Sequence, residues 1–198
     1  MAGIWEWMMT TVKQALTFVG LVEGKPRTTL FVGLDSAGKT SLTDVLLTGR
    51  MSAYPPTIQP TSNEVRLGSL TLRAFDVGGH EQARHIWAEY ASLADGIVFI
   101  VDAARWDRFE EAREELQGIL GQEEVGDTPI LILGNKIDNP DAADADTLSK
   151  ELGVDMYRTG PTNENLTQGI RPLEIFMCSL KLRQGYGAGL NWLAQHMS

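Results

Sequence analysis

The sequence predicts an α/β fold of three layers, with helices on both faces of a six-stranded, mostly parallel sheet and an amphipathic helix at the N-terminus. Three observations predict it. From Thr28 onward, apolar strand-like runs alternate with helix-like segments, the pattern of βαβ units. Two of the runs, Ile97-Val98-Phe99-Ile100-Val101 and Ile130-Leu131-Ile132-Leu133, are continuously apolar, which suits strands covered on both faces. The first run leads directly into Gly33-Leu34-Asp35-Ser36-Ala37-Gly38-Lys39-Thr40, which fits the phosphate-loop (P-loop) pattern G-x-x-x-x-G-K-[ST] between a strand and a helix.

Along the chain, residues 4–21 come first. They place Trp5, Met8, Met9, Val12, Leu16 and Val19 at helical spacing on one face, while Glu6, Lys13, Gln14 and Thr17 interrupt any continuous apolar span. Strands are predicted over Thr28–Val32, Asn63–Leu67, Thr71–Phe75, Gly96–Val101, Pro129–Leu133 and Leu173–Met177. Helices are predicted over Lys39–Leu47, Glu81–Ser92, Trp106–Leu120, Ala143–Leu152 and Gly187–His196. The chain therefore divides into an N-terminal amphipathic, membrane-binding segment, 1–24, and a nucleotide-binding domain, 25–198. In an open α/β sheet the ligand sits at the carboxyl ends of the strands.

Bulk properties narrow the class. The 198 residues suit one domain with an appendage, and 43% hydrophobic with 22% charged residues is ordinary globular composition. The one cysteine, Cys178, excludes an intramolecular disulfide. A formal net charge of −9 with no basic cluster argues against a nucleic-acid binder. No run of about 20 apolar residues is present to span a bilayer. Charged residues are not confined to a basic leader, so residues 4–21 do not read as a signal peptide. Only Lys13 is basic there, so membrane affinity would come from buried apolar area, with Ile4, Trp5, Trp7, Met8, Val12, Leu16 and Val19 entering the interface. Position 2 is Ala and the chain ends Gln195-His196-Met197-Ser198, so neither the myristoylation nor the prenylation pattern is met. The alternative for this segment is a helix packed permanently on the domain.

The loops at the strands' carboxyl ends carry the chemistry. In the first loop, glycines let successive N–H groups curl around an anion, and the helix N-terminus faces the same point. Asp35, Ser36, Ala37, Gly38, Lys39, Thr40 and Ser41 are the expected phosphate-binding residues. Lys39 would reach the β- and γ-phosphates and the Thr40 hydroxyl would bind Mg²⁺, with Asp35 as a further metal residue. After Leu70–Phe75 comes Asp76-Val77-Gly78-Gly79-His80. Asp76 is placed to hold Mg²⁺ through a water, and Gly79 to let the backbone approach a γ-phosphate. After Ile130–Leu133 comes Gly134-Asn135-Lys136-Ile137-Asp138, the N-K-x-D signature of guanine-nucleotide binding. The Asp138 carboxylate can accept two N–H bonds from guanine N1 and N2, a pair that adenine lacks. Lys136 can lay its stem along the base, and Asn135 can brace the phosphate loop. After the last strand, Cys178-Ser179-Leu180-Lys181 matches the loop whose backbone N–H groups meet guanine O6; Ser179, Leu180 and Lys181 join the binding set.

Between the first helix and the second strand, Met51–Ser62 holds three prolines and little periodicity. A threonine in such a loop can grip Mg²⁺ and γ-phosphate and release them when the phosphate leaves. Thr57 and Thr61 are both candidates; Thr57 is preferred because it lies nineteen residues before Asp76, a spacing found in related GTPases. His80 stands where Ras-like GTPases usually carry the Gln that orients the attacking water, a task a neutral His can perform. His85 and His196 read as ordinary surface or partly packed residues. No arginine stands out as a finger in cis, so hydrolysis is expected to be slow until a partner supplies one.

These residues resemble a family. Phe75–Arg84 with His in the catalytic place, Pro56–Ser62, Ile130–Asp138, Phe176–Ser179 running into Arg183–Gly187, and the N-terminal Glu6-Trp7 and Phe18–Leu21 are similar to the Sar small GTPases of the COPII vesicle coat. The resemblance covers essentially the whole chain. It implies a GTP/GDP cycle with Mg²⁺ on the cytoplasmic face of the endoplasmic reticulum membrane and COPII vesicles, with the GDP form cytosolic. It implies a membrane-bound guanine nucleotide exchange factor, insertion of the N-terminus by the GTP form, and recruitment of inner COPII coat subunits that include a GTPase-activating subunit. Ser36 replaces the usual Asn of the phosphate loop, and the stretch from Val154 to Arg171 departs most from the family. Two other readings compete: an Arf-like GTP-dependent adaptor with little hydrolysis, and an adenine-nucleotide enzyme using the phosphate loop alone.

Overall fold

A computed structural model of the chain describes residues 27–49, 61–67, 70–76, 87–161 and 170–197. The expectations placed on residues 1–26, on Thr57, Gly79 and His80, and on the first part of the helix expected from Glu81 lie outside the described residues.

Among the described residues, six strands form one sheet: β1 (Arg27–Val32), β2 (Thr61–Leu67), β3 (Leu70–Asp76), β4 (Gly96–Asp102), β5 (Ile130–Asn135) and β6 (Leu173–Met177). Their order is β2-β3-β1-β4-β5-β6. Among the described residues, only the edge strand β2 runs antiparallel, against β3; the β3–β1, β1–β4, β4–β5 and β5–β6 pairs are parallel. The sheet is thus six-stranded and mostly parallel, as the alternation of runs predicts. Parallel neighbours need crossovers, and helices supply them: α1 (Lys39–Thr48), α2 (Trp87–Ala91), α3 (Phe109–Leu120) and α4 (Ala145–Glu151), with α5 (Tyr186–His196) closing the described chain.

The strands' period of two sorts their side chains into two cores. Leu30, Val32, Ile97, Phe99, Ile130 and Ile132 pack with Trp87, Leu116, Ile119 and Leu148, from α2, α3 and α4, on one face. Phe31, Val98, Ile100, Leu131 and Leu133 pack with Leu42, Leu190, Trp192 and Leu193, from α1 and α5, on the other. All five members of the central run Gly96–Ile100 are buried. This is why the strands read as continuous apolar runs rather than as alternation.

Several boundaries differ from the sequence-based expectation, each for a local reason. β2 begins at Thr61 rather than Asn63, because Thr61 and Ser62 pair with Asp76 and Phe75 across the edge ladder. The helix expected from Trp106 opens as a 3₁₀ turn, Trp106–Arg108, before α3. The helix expected from Ala143 starts at Ala145, where Asp144 caps it by accepting the Thr147 N–H at 2.8 Å. β5 extends through Gly134 and Asn135, so the first residue of the N-K-x-D signature lies within the sheet and pairs with Asp102.

α1 leaves β1 toward one face, and α3 leaves β4 toward the other. The carboxyl ends of these adjacent strands therefore open a crevice at the switch point of the topology.

Candidate nucleotide site

The loop after β1 is shaped by two glycines. Gly33 has φ +134, and a Cβ there would lie 2.1 Å from the Ile100 carbonyl oxygen, so only Gly lets β1 turn against β4. Gly38 has φ +117, and a Cβ would lie 2.5 Å from Asn135 Nδ2. Ser36, between them, is also left-handed at φ 60. Lys39 opens α1 and is buried, its Nζ donating to the Gly33 and Leu34 carbonyls at 2.8 and 2.9 Å. Its ammonium is thus folded back over the loop at a helix N-terminus, the geometry of an anion cradle. Thr40 and Ser41 are half-buried in the first turn of α1, and Ala37 is buried beneath the loop.

Asn135 ties this cradle to the opposite loop. It is 3% exposed, donates from Nδ2 to the Ala37 carbonyl at 2.8 Å, and accepts at Oδ1 from the Leu180 N–H at 3.2 Å. The Cys178 thiol lies 3.8 Å from the same Oδ1. Asp138 accepts from the Ser179 hydroxyl at 2.6 Å and pairs with Lys181 at 3.2 Å. The Ser179 hydroxyl, and then Lys181, hold the Asp138 carboxyl below the usual carboxylate range. It therefore stays an ionised acceptor through the neutral range. Lys136, left-handed at φ 71, reaches across to Asp102 with Nζ 2.6 Å from Oδ2, so its stem spans the gap between the loops after β4 and β5.

In the loop after β6, three backbone N–H groups already have partners: that of Ser179 on Gln184 O, that of Leu180 on Asn135 Oδ1, and that of Leu182 on the Ser179 hydroxyl. Of the loop residues named from sequence, Ser179 and Leu180 brace the site, while Lys181 is exposed at its edge.

Asp76 ends β3 beside the phosphate loop, in register with Phe31 of β1 and Thr61 of β2. Thr61 is thus a strand residue, whereas Thr57 lies outside the described residues. The Asp35 carboxylate, expected near the metal, sits on Arg108 at 2.8 Å. Arg108 escaped sequence reasoning: its spacing to Glu111, which it also pairs at 2.8 Å, reads as an ordinary surface helix pair. His196 packs on Trp192, ring centroids 4.4 Å apart, with Nδ1 2.7 Å from the Trp192 carbonyl. That fits a packed residue outside the site.

Burial pushes the Cys178 thiol up to about 12. At pH 8 only about one molecule in ten thousand would carry the reactive thiolate. The folded protein is therefore expected to resist a colorimetric thiol reagent at pH 8 and to react fully once unfolded in guanidinium. Because the unfolded thiol ionises at about 8.5, the unfolded state loses its proton first on the alkaline side. Stability is full below that pH and declines as pH rises above it. Rapid labelling of the native protein would contradict this placement.

Among the described residues, no helix is long and apolar enough to cross a membrane. The chain matches the ADP-ribosylation factor family over residues 13–197. It is 43% identical over 195 residues to a small COPII coat GTPase SAR1 of Giardia intestinalis, covering 98% of this chain and 100% of that one. It is 34% identical over 174 residues to the small COPII coat GTPase SAR1 of Nicotiana tabacum, covering 85% of this chain and 88% of that one. It is also 34% identical over 166 residues to ADP-ribosylation factor-like protein 8b of Arabidopsis thaliana, covering 83% and 84%. The strand order, the two loops joined through Asn135 and the match along nearly all of the chain lead to one conclusion: this chain belongs to the ADP-ribosylation factor family of small GTPases.

Proposed function

We propose that this small GTPase is a membrane switch that initiates COPII coat assembly on the cytoplasmic face of the endoplasmic reticulum. The observation that carries the guanine-nucleotide part is the link through Asn135, which holds the phosphate loop and the base loop as one site. The coat assignment is supported by end-to-end similarity to a COPII coat GTPase. In this reading the loop from Asp35 to Gly38 wraps the phosphates through its backbone, Lys39 and Ser41 complete the cradle, and Asp138 with Lys136 and the Ser179–Lys181 loop selects guanine. Thr40, Thr57 and Asp76 would hold Mg²⁺, while Asp35, expected near the ion, is kept on Arg108. The ion's part is to neutralise phosphate charge. His80, next to Gly79, orients the attacking water. The GTP form inserts Ile4, Trp5, Trp7, Met8, Val12, Leu16 and Val19 of the 1–24 segment into the bilayer. A membrane-bound exchange factor loads it, and an inner-coat subunit supplies the arginine that speeds hydrolysis.

Liposome flotation tests the switch. Full-length protein loaded with a non-hydrolysable GTP analogue is expected to float, the GDP form to stay in solution, and a chain lacking residues 1–20 to stay in solution in both states. Equal flotation in both nucleotide states would mean a constitutive anchor and end the switch reading. The similarity to the Arabidopsis Arf-like protein supports a second reading, an adaptor with little turnover. His80→Leu separates the two. Its single-turnover hydrolysis, with inner coat present, should fall about a hundredfold or more while GTP binding persists; an unchanged rate assigns the adaptor role.

A further inference from the structure

Arg108 joins the phosphate loop to the start of α3. Its Nη1 lies 2.8 Å from Asp35 Oδ1 and 3.4 Å from the Asp35 carbonyl oxygen, while Nε and Nη2 each reach Glu111 Oε2 at 2.8 Å. The two side chains of the Arg108–Asp35 pair are 22% and 30% exposed, so water screens the pair only in part. Asp35 is the one acidic residue of the loop from Gly33 to Thr40. A carboxylate in that loop opposes a bound polyphosphate, because like charges at short range in a partly desolvated cleft repel. It also sits next to Ser36, which holds the left-handed conformation at φ 60 that a non-glycine residue adopts only under constraint.

We propose that Arg108 is a positioning residue for nucleotide retention: it neutralises Asp35 and clamps that carboxylate and carbonyl toward α3, leaving the loop's N–H groups and Lys39 to face the phosphates of a nucleoside di- or triphosphate. The inference rests on the loop being the nucleotide site. Glu111 completes the device by fixing the far side of the guanidinium, so the fork keeps one orientation.

The test uses the full chain loaded with a fluorescent GDP, with release followed in excess unlabelled GDP and Mg²⁺. Arg108→Ala is expected to release nucleotide about tenfold faster than wild type, since a partly shielded charge partner is lost. Arg108→Lys, which keeps the charge, is expected to stay within about threefold. The decisive comparison is the double variant Asp35→Asn/Arg108→Ala against Asp35→Asn alone. With no carboxylate left to neutralise, the two should release at the same rate. A purely structural role for Arg108 would instead leave the double variant as fast as Arg108→Ala. That result, or wild-type release from Arg108→Ala, overturns the proposal. If Arg108→Ala melts below the assay temperature by circular dichroism, the comparison of the double variant with Asp35→Asn decides alone. A wild-type chain that retains no fluorescent GDP defeats the nucleotide reading itself, a separate outcome.

Discussion

Replacing Asp138 with Asn is expected to weaken GDP and GTP binding on the order of a thousandfold and to make xanthine nucleotides the better ligands. The carboxylate offers two acceptors to the two N–H donors of a guanine edge. Asn keeps one acceptor and turns an N–H₂ group toward a base donor, which leaves buried polar groups facing like partners. Xanthine carries an oxygen at that place and restores the match. The effect is expected to be large because the Ser179 hydroxyl, 2.6 Å from the Asp138 carboxylate, can still orient a side chain of the same shape toward the base. Competition between GDP and xanthosine diphosphate for the fluorescent ligand measures the change. An Asn variant that still prefers guanine would remove Asp138 from base recognition.

Asn135→Ala is expected to damage both stability and binding. The side chain is buried and serves the Ala37 carbonyl and the Leu180 N–H together. Truncation strands both groups, at about 1–3 kcal/mol each. For a chain of this size that lowers the melting temperature by roughly 8 °C. The phosphate loop also loses its tie to the base loop, so nucleotide affinity is expected to fall about a hundredfold, in line with the loss of two buried hydrogen bonds. A thermal melt and a nucleotide titration on the same sample separate the two effects. Unchanged affinity with lowered stability would make Asn135 a core residue alone.

The central strands were legible because burial on both faces leaves no polar position to confuse the pattern; Ile97–Val101 and Ile130–Leu133 could be placed to within a residue or two. The phosphate loop was legible because sterics allow few residues at Gly33 and Gly38. The polar start of β2 was not, since Thr61 and Ser62 owe their strand state to pairing with β3 rather than to their own preference. The first turn of the helix after β4 was read as α-helix because 3₁₀ and α turns share residue preferences at helix ends. Arg108 could be paired from sequence only with Glu111, three residues on. Its second partner lies 73 residues away and is brought near only when β1 and β4 lie side by side. Likewise, nothing local indicates that the Leu180 N–H serves Asn135 rather than a base, because that choice is made by the contact between the ends of β5 and β6.

The Asn135 bridge has a consequence for how the ligand leaves. Because one buried side chain fixes the distance between the phosphate loop and the loop after β6, a nucleoside diphosphate bound as proposed would be a bivalent ligand on a rigid two-point receptor. Once either end is seated, the other is held at high effective concentration beside its own pocket, so the two grips multiply rather than add. Guanosine alone, or pyrophosphate alone, should then bind far more weakly than half the free energy of GDP implies. A factor that prises open only one end has done most of the work of release, since the remaining end is left with a monovalent grip.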